Sequence, residues 1–294
     1  HCSLSKQSSA VTGSMVSALV GQAAVQVKGG TTVMNETWPR LPVYPNGRGG
    51  SLSIVPMRIP EQIEVRDDRP GESVDVKAPQ FRSRVRFLLY SSAPGPVTLR
   101  VFQNRLGRRR PLAKEKNEVR DADGELIALL PAPGEEPMEW RFDAPSRGFY
   151  EIRANVRGHA LGILATTVPI AVVGGAAGFT GIVPLASAGG SLYFDVPEET
   201  VEFAAFLQGG GDRERVSARL FDAEGKLADE AVDVADFHGR LFGNHPAPGL
   251  WRIESRHPTS GCFEDYSVDL LNLPPVFFLT QEKTWRNVWN FPSE

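Results

Sequence analysis

The chain has 294 residues, enough for two domains of ordinary size that each bury their own core. A formal net charge of −3 with 23% charged residues excludes both a polyanion-binding protein and a disordered acidic chain. Gly (29) and Pro (23) are abundant, as in proteins built of short strands and many turns and not of helices.

Residues 1–50 stand apart from the rest. Val11, Met15, Ala18, Leu19 and Ala23 follow the spacing of an apolar helical stripe, which Gly29-Gly30 ends. Residues 31–50 read as loop, with Trp38, Pro39, Pro42, Pro45 and Asn46-Gly47. Asn35-Glu36-Thr37 fits the glycosylation acceptor pattern. A start at His1 in place of Met is expected of a processed chain or of a piece of a longer one.

From residue 51 the apolar period becomes two. Val85–Tyr90, Val97–Phe102, Tyr150–Val156, Val216–Phe221 and Trp251–Ser255 alternate or run apolar over strand lengths, with turn residues between them. An internal repeat organises these strands. Asp121-Ala-Asp-Gly-Glu-Leu126 matches Asp222-Ala-Glu-Gly-Lys-Leu227 at an offset of 101. At that offset Pro145 matches Pro246, Gly148 matches Gly249, Tyr150 matches Trp251 and Ile152 matches Ile253. Each copy reads strand, Asp-x-x-Gly hairpin turn, strand, then Pro-x-x-Gly-x-aromatic entering a further strand. The expected fold is all-β: two tandem β-sandwich domains of jelly-roll or immunoglobulin-like type, with a partly helical N-terminal segment. The boundaries are 1–50 for that segment, 51–174 and 175–283 for the sandwiches, and 284–294 for an aromatic tail.

No charged residue occurs from Ala160 to Phe194. Pro169, Gly174, Gly175, Gly178, Gly181 and Pro184 interrupt this run, and it is rich in β-branched residues. It is expected to hold the last strand of one sandwich, a linker and the first strand of the next, and no membrane span.

Asp121, Asp123, Asp222 and Glu224 suit the start of a calcium loop, yet the further ligands and the bidentate Glu are missing, and hairpin turns need the same residues. His238, His245 and His257 lie within twenty residues, near Cys262, Glu264 and Asp265. Imidazoles with a thiol or carboxylate can hold zinc or copper, but these spacings match no metal motif and suit exposed loops equally. An N-terminal His1 can chelate copper through its amino group and ring, resembling the histidine brace of lytic polysaccharide monooxygenases. The second histidine of such a brace stands in no recognisable setting here. The default is therefore no cofactor, with calcium and copper as the candidates to test. Cys2 and Cys262 either form one bridge from the N-terminal segment to the second sandwich or are two thiols.

Nucleophile elbows, phosphate loops and His-Glu-x-x-His are absent from the sequence, whereas a pair of glycosidase carboxylates can come from anywhere in a chain. Arg105, Arg108, Arg109, Arg110, Lys114 and Lys116 form a basic cluster between two strands, diluted by Glu115 and Glu118. With no interleaved aromatic it reads as a solvated loop and not as a nucleic-acid site. Trp285, Trp289 and Phe291 lie past the last repeat strand. They either pack back on the sandwich or, with Trp38, anchor a partner.

Four motifs carry a resemblance over about residues 191–283: Ser191–Pro197, Ala218–Gly225, Pro248–Ile253 and Glu264–Val268, closing with Leu273-Pro-Pro275. The segment resembles β-sandwich modules near the C-termini of large secreted bacterial proteins. It is similar to the bacterial pre-peptidase C-terminal domain and to C-terminal modules of planctomycete-type extracellular hydrolases. That resemblance implies a secreted or cell-surface setting and a non-catalytic role in domain docking, assembly or carbohydrate adhesion. The partners implied are other domains or subunits of a larger protein, copies of the chain itself, or polysaccharide. The other readings are a structural subunit of an extracellular filament or surface layer, and a copper or glycosidase enzyme hidden in a sandwich.

Overall fold

The computed structural model describes residues 62–106, 114–173, 183–186, 188–198, 200–211, 213–235, 239–244, 246–271, 273 and 276–288. Among them there is no helix, and the fold is all-β. The predicted helical segment 1–50 lies outside the described residues.

The described residues form nineteen strands in chain order. The first nine are β1 (Gln62–Asp67), β2 (Val74–Asp75), β3 (Gln80–Ser91), β4 (Gly95–Asn104), β5 (Asn117–Asp121), β6 (Leu126–Leu130), β7 (Met138–Ala144), β8 (Gly148–Thr166) and β9 (Ile170–Val173). Then come β10 (Val183–Ala186), β11 (Gly190–Val196), β12 (Glu202–Gly209), β13 (Val216–Phe221) and β14 (Leu227–Val234). The last five are β15 (Gly239–Asn244), β16 (Gly249–Arg256), β17 (Asp265–Leu271), β18 (Val276–Phe278) and β19 (Lys283–Val288).

Every ladder between these strands is antiparallel, and two long layers result. One runs β6–β5–β8–β3–β9–β18–β11–β16–β13–β14. The other runs β7–β4–β8–β3–β10–β17–β12–β15. Strand β8 serves both layers. Its first half pairs with β5 and its second half with β4, and the register with β3 shifts between them. Arg157, with φ of 46°, stands at that crossover.

The alternation read from the sequence places the core. Val97, Leu99 and Val101 of β4, Trp140 and Phe142 of β7, and Leu192 and Phe194 of β11 point inward and are buried. Together with Phe203, Leu220 and Ile253 they form one continuous cluster between the layers. Within it, aromatic rings meet edge to face, as Phe203 does with Trp251 at 5.1 Å.

The offset of 101 reappears in hydrogen bonds. Gly124 and Gly225 adopt φ of 83° and 80°, and their N–H groups donate to the carbonyls of Asp121 and Asp222 at 3.1 and 3.0 Å. Those positive φ values explain the glycines. The Asp121 carboxylate accepts from the N–H groups of Asp123 and Glu125, and the Asp222 carboxylate from Lys226. These acids are engaged in turn chemistry. Further on, the Tyr150 hydroxyl donates to the Ser146 carbonyl at 2.7 Å, and the Trp251 indole donates to the Ala247 carbonyl at 2.8 Å. Each ties an aromatic to the main chain four residues back.

Strand pairings recur in the same way. The ladders β3·β8, β5·β8, β5·β6, β4·β7 and β3·β9 have counterparts in β11·β16, β13·β16, β13·β14, β12·β15 and β11·β18. The two sets of strands meet at β9·β18, where Val173 opposes Val276 and Ala171 opposes Phe278. A second junction is β10·β3. The charge-free stretch is thus strand at β8, β9, β10 and β11, while residues 174–182 lie outside the described residues. No described helix is long and apolar enough to cross a membrane.

A third, smaller layer covers the β9·β18 seam. Strands β1 and β19 form a two-stranded ribbon, with Gln62 opposite Val288 and Asp67 opposite Lys283. Trp285 of this ribbon packs in a separate cluster with Tyr90, Ala171 and Phe278.

Candidate functional site

Of the expected docking residues only Trp285 is described. It is 3% exposed, with its ring 5.2 Å from that of Phe149 and 4.6 Å from that of Phe278. The ring packs with Tyr90, Ala171 and Phe278 of the same chain. The segment that starts at 284 is in part a strand, because β19 needs β1 to satisfy its backbone. Trp38, Trp289 and Phe291 lie outside the described residues.

Of the metal candidates only His257 is described. His1, His238 and His245 lie outside the described residues. His257 is exposed, its ring 4.7 Å from that of Phe263, which stacks on Tyr266 at 5.1 Å. Tyr266 is buried and donates to the Ala188 carbonyl at 2.9 Å, and burial pushes its phenol far above the usual range. Among the described residues no group of three or more His, Cys, Asp or Glu side chains is placed to hold a metal. Cys262 lies in the loop between β16 and β17, where its N–H donates to the Arg213 carbonyl at 2.7 Å. Cys2 lies outside the described residues.

His159, which carries no sequence motif, is fully buried at the β8 crossover. Its Nδ1 accepts the N–H of Leu106 at 3.0 Å, so it acts as an internal acceptor for a loop that leaves β4. Other ionisable groups also join strands. Glu151 is buried and bridges Arg86 and Arg153 across β3 and β8. Lys283 is fully buried with its Nζ donating to Asp67 at 2.6 Å and to the Arg69 carbonyl at 2.5 Å.

Two carboxyls respond to pH in opposite senses. Asp233, with φ of 55° in β14, accepts from the Thr259 hydroxyl and N–H, both at 2.6 Å, and from the Ser260 hydroxyl at 2.8 Å. These donors hold it down at about 2. Asp269 of β17 is pushed up to about 7 by burial, partly offset by the Leu270 N–H. A lowered folded-state value stabilises above the unfolded value near 3.8, and that contribution is lost as pH falls towards 2. A raised value does the reverse, so the Asp269 contribution declines as pH rises from about 4 to about 7. We expect Asp269→Asn to flatten the loss of thermal midpoint over that upper window, and Asp233→Asn to lower the midpoint at neutral pH. Midpoints from circular dichroism between pH 2 and 8 check both; an unchanged slope in Asp269→Asn rejects the first.

A groove of about 430 Å³ opens on the outside of the first set of strands. Its walls come from β1, the turn between β3 and β4, the outer faces of β4 and β7, and the turn from β8 to β9. Thr98, Arg141, Thr167 and Asp67 supply polar atoms, and Pro96 and Pro169 supply flat apolar faces. Hydrogen bonds from main chain and side chains join the walls. Thr98 N–H donates to the Thr167 hydroxyl at 3.0 Å, and Thr167 N–H returns to the Thr98 carbonyl at 3.1 Å. Tyr90 N–H donates to the Pro169 carbonyl at 3.1 Å, and Arg147 Nε caps the Tyr90 hydroxyl at 2.6 Å. Arg141 stands across the ladder from Thr98 on an exposed face, with a guanidinium fork suited to hydroxyl or carboxylate oxygens. No pattern in the sequence marks this groove, because its walls come from four separated turns and strand ends.

No protein-family model matches the chain, and no curated protein matches its sequence. Among solved structures the chain has a likeness to the M60 catalytic domain with the CBM51-1 and CBM51-2 domains from Clostridium perfringens ZmpB. The identity is 10%, over 78% of this chain and 38% of that one, at a TM-score of 0.23. Tripeptidyl peptidase 2 follows at 12% identity over 79% of this chain and 28% of that one, with a TM-score of 0.22. Sulfolobus Turreted Icosahedral Virus gives 9% identity over 76% of this chain and 90% of that one, at 0.16. The chain thus spans well under half of the first two structures. At these scores the likenesses define neither a fold family nor a function.

Proposed function

We propose that the protein is a non-catalytic accessory module of a secreted or cell-surface bacterial protein and that it works by adhesion to carbohydrate. The observation that supports this most is the open groove of about 430 Å³, which mixes proline faces with the polar groups of Thr98, Arg141 and Thr167. Sugars present the same mixture: C–H faces that pack on apolar rings and hydroxyls that bond to arginine and threonine. The two sets of strands are a duplicated sandwich in this reading, which the 101-residue offset, the paired turns and the paired aromatic corners support.

Retention on insoluble polysaccharides and a glycan array test the proposal with the whole chain. Arg141→Ala is expected to weaken retention about tenfold, the worth of one hydrogen bond to a charged group. No retention on any polysaccharide, or retention that ignores Arg141→Ala, overturns it.

A further inference from the structure

The eight-strand layer is buried on its outer face where β12 runs beside β17, on the side away from the core. Phe203, Ala205 and Leu207 of β12, with Tyr266, Val268 and Leu270 of β17, point into the cluster between the layers. The pleat turns Ala204, Phe206 and Asp269 the other way, and Asp269 stands directly opposite Phe206. All three are nonetheless buried, at 1%, 8% and 6% exposure. Neither Ala204 nor Phe206 belongs to the central cluster or to the one around Trp285. An aromatic ring and a carboxyl shut from water on the outside of a sheet need a cover. A second observation lies close by. Cys262, three residues before β17, is disulfide-bonded, and the sequence contains one other cysteine, Cys2.

We propose that the N-terminal segment of this same chain is the cover: Cys2 is the partner of Cys262, and the apolar stripe of Val11, Met15, Leu19 and Ala23 docks over Ala204 and Phe206. Making the bond removes two protons and two electrons from the two thiols, and a disulfide oxidant takes them up as it becomes two thiols. Such a bond persists in an oxidising compartment. The reach is sufficient. A disulfide holds its two Cα atoms within about 7 Å of each other. Asp269 is seven residues past Cys262, at most about 24 Å along an extended chain. The eight residues between Cys2 and Val11 span up to about 30 Å, and a helical stripe from Val11 to Ala23 covers about 18 Å. The 38 residues from 24 to 61 then have ample length to return to β1. Chemistry matches as well as length. Residues 7–27 carry no charge, so none has to be desolvated against Phe206.

Trypsin digestion of the unreduced full chain tests the bond. Peptides 1–6 and 257–283 are expected as one linked species that separates on reduction. Hydroxyl-radical footprinting of Phe206 tests the docking. Its labelling is expected to rise about threefold in Cys2→Ser and in Leu19→Asp, as a ring 8% exposed loses its cover. Leu19→Asp keeps both cysteines, so it separates the cover from the tether. Both positions precede β1, and a near-ultraviolet circular dichroism spectrum like that of the parent confirms each fold. Unlinked peptides, a bond between two chains, or Phe206 labelling unchanged in either variant each overturns the proposal. None of these outcomes bears on the groove.

Discussion

Trp285→Ala is expected to destabilise the protein by about 3–5 kcal/mol, the cost of truncating a large ring in a packed site. The indole is 3% exposed and meets Phe149 and Phe278 edge to face, at interplanar angles of 77° and 82°. Phe149 belongs to β8 and Phe278 to β18, so one side chain touches both sets of strands across their seam. Edge-to-face pairs add to area burial by about 0.5–1.5 kcal/mol each. Denaturant titration gives the global loss, and hydrogen exchange shows where it falls. Amides of β1 and β19 are expected to lose protection first, since the ribbon is only two strands wide. A loss below about 1 kcal/mol would show that the ribbon rests on the seam without being packed into it.

Lys283→Ala is the second large effect. The ammonium is fully buried, and its carboxylate partner Asp67 is only 14% exposed. Removing one partner of a buried pair leaves an uncompensated charge and costs about 3–5 kcal/mol. The lower end is expected here, because Asp67 keeps the Arg69 N–H at 3.0 Å. The charge itself, and not the contact, is what makes the single substitution costly. Asp67→Asn combined with Lys283→Met is therefore expected to recover most of the loss, as well-packed neutral replacements of buried pairs do. A double-mutant cycle in urea measures the coupling; additive losses would mean that the two groups do not share one site.

Legibility in the sequence followed the range over which each interaction acts. Val97–Phe102 alternates and is a strand, because the pleat imposes a period of two on its own neighbours. The turns at Gly124 and Gly225 are local hydrogen-bond devices, and both announced themselves as Asp-x-x-Gly. Ile170–Val173 is apolar on every residue because both its faces are covered, and such a run carries no period to read. The pairing of Asp67 with Lys283 spans 216 residues, beyond any local signal. Trp285 had two consistent readings for that reason: an aromatic strand near the end of a chain looks alike whether its cover comes from the same chain or another. The groove was invisible for a related cause. Thr98, Arg141 and Thr167 are ordinary strand and turn residues, and only the fold makes them neighbours.

The ribbon also fixes how this protein bears load. Gln62 and Val288 face each other at one end of the β1·β19 ladder, so tension arriving through the chain on either side pulls at the same rung. The ladder then opens one rung at a time instead of sliding as a whole. The last rung reached is the Asp67–Lys283 pair, which adds an ion pair to the ladder bonds. A tether attached at these two points would meet a soft zipper closed by a clasp, while the two large layers beneath stay out of the line of force.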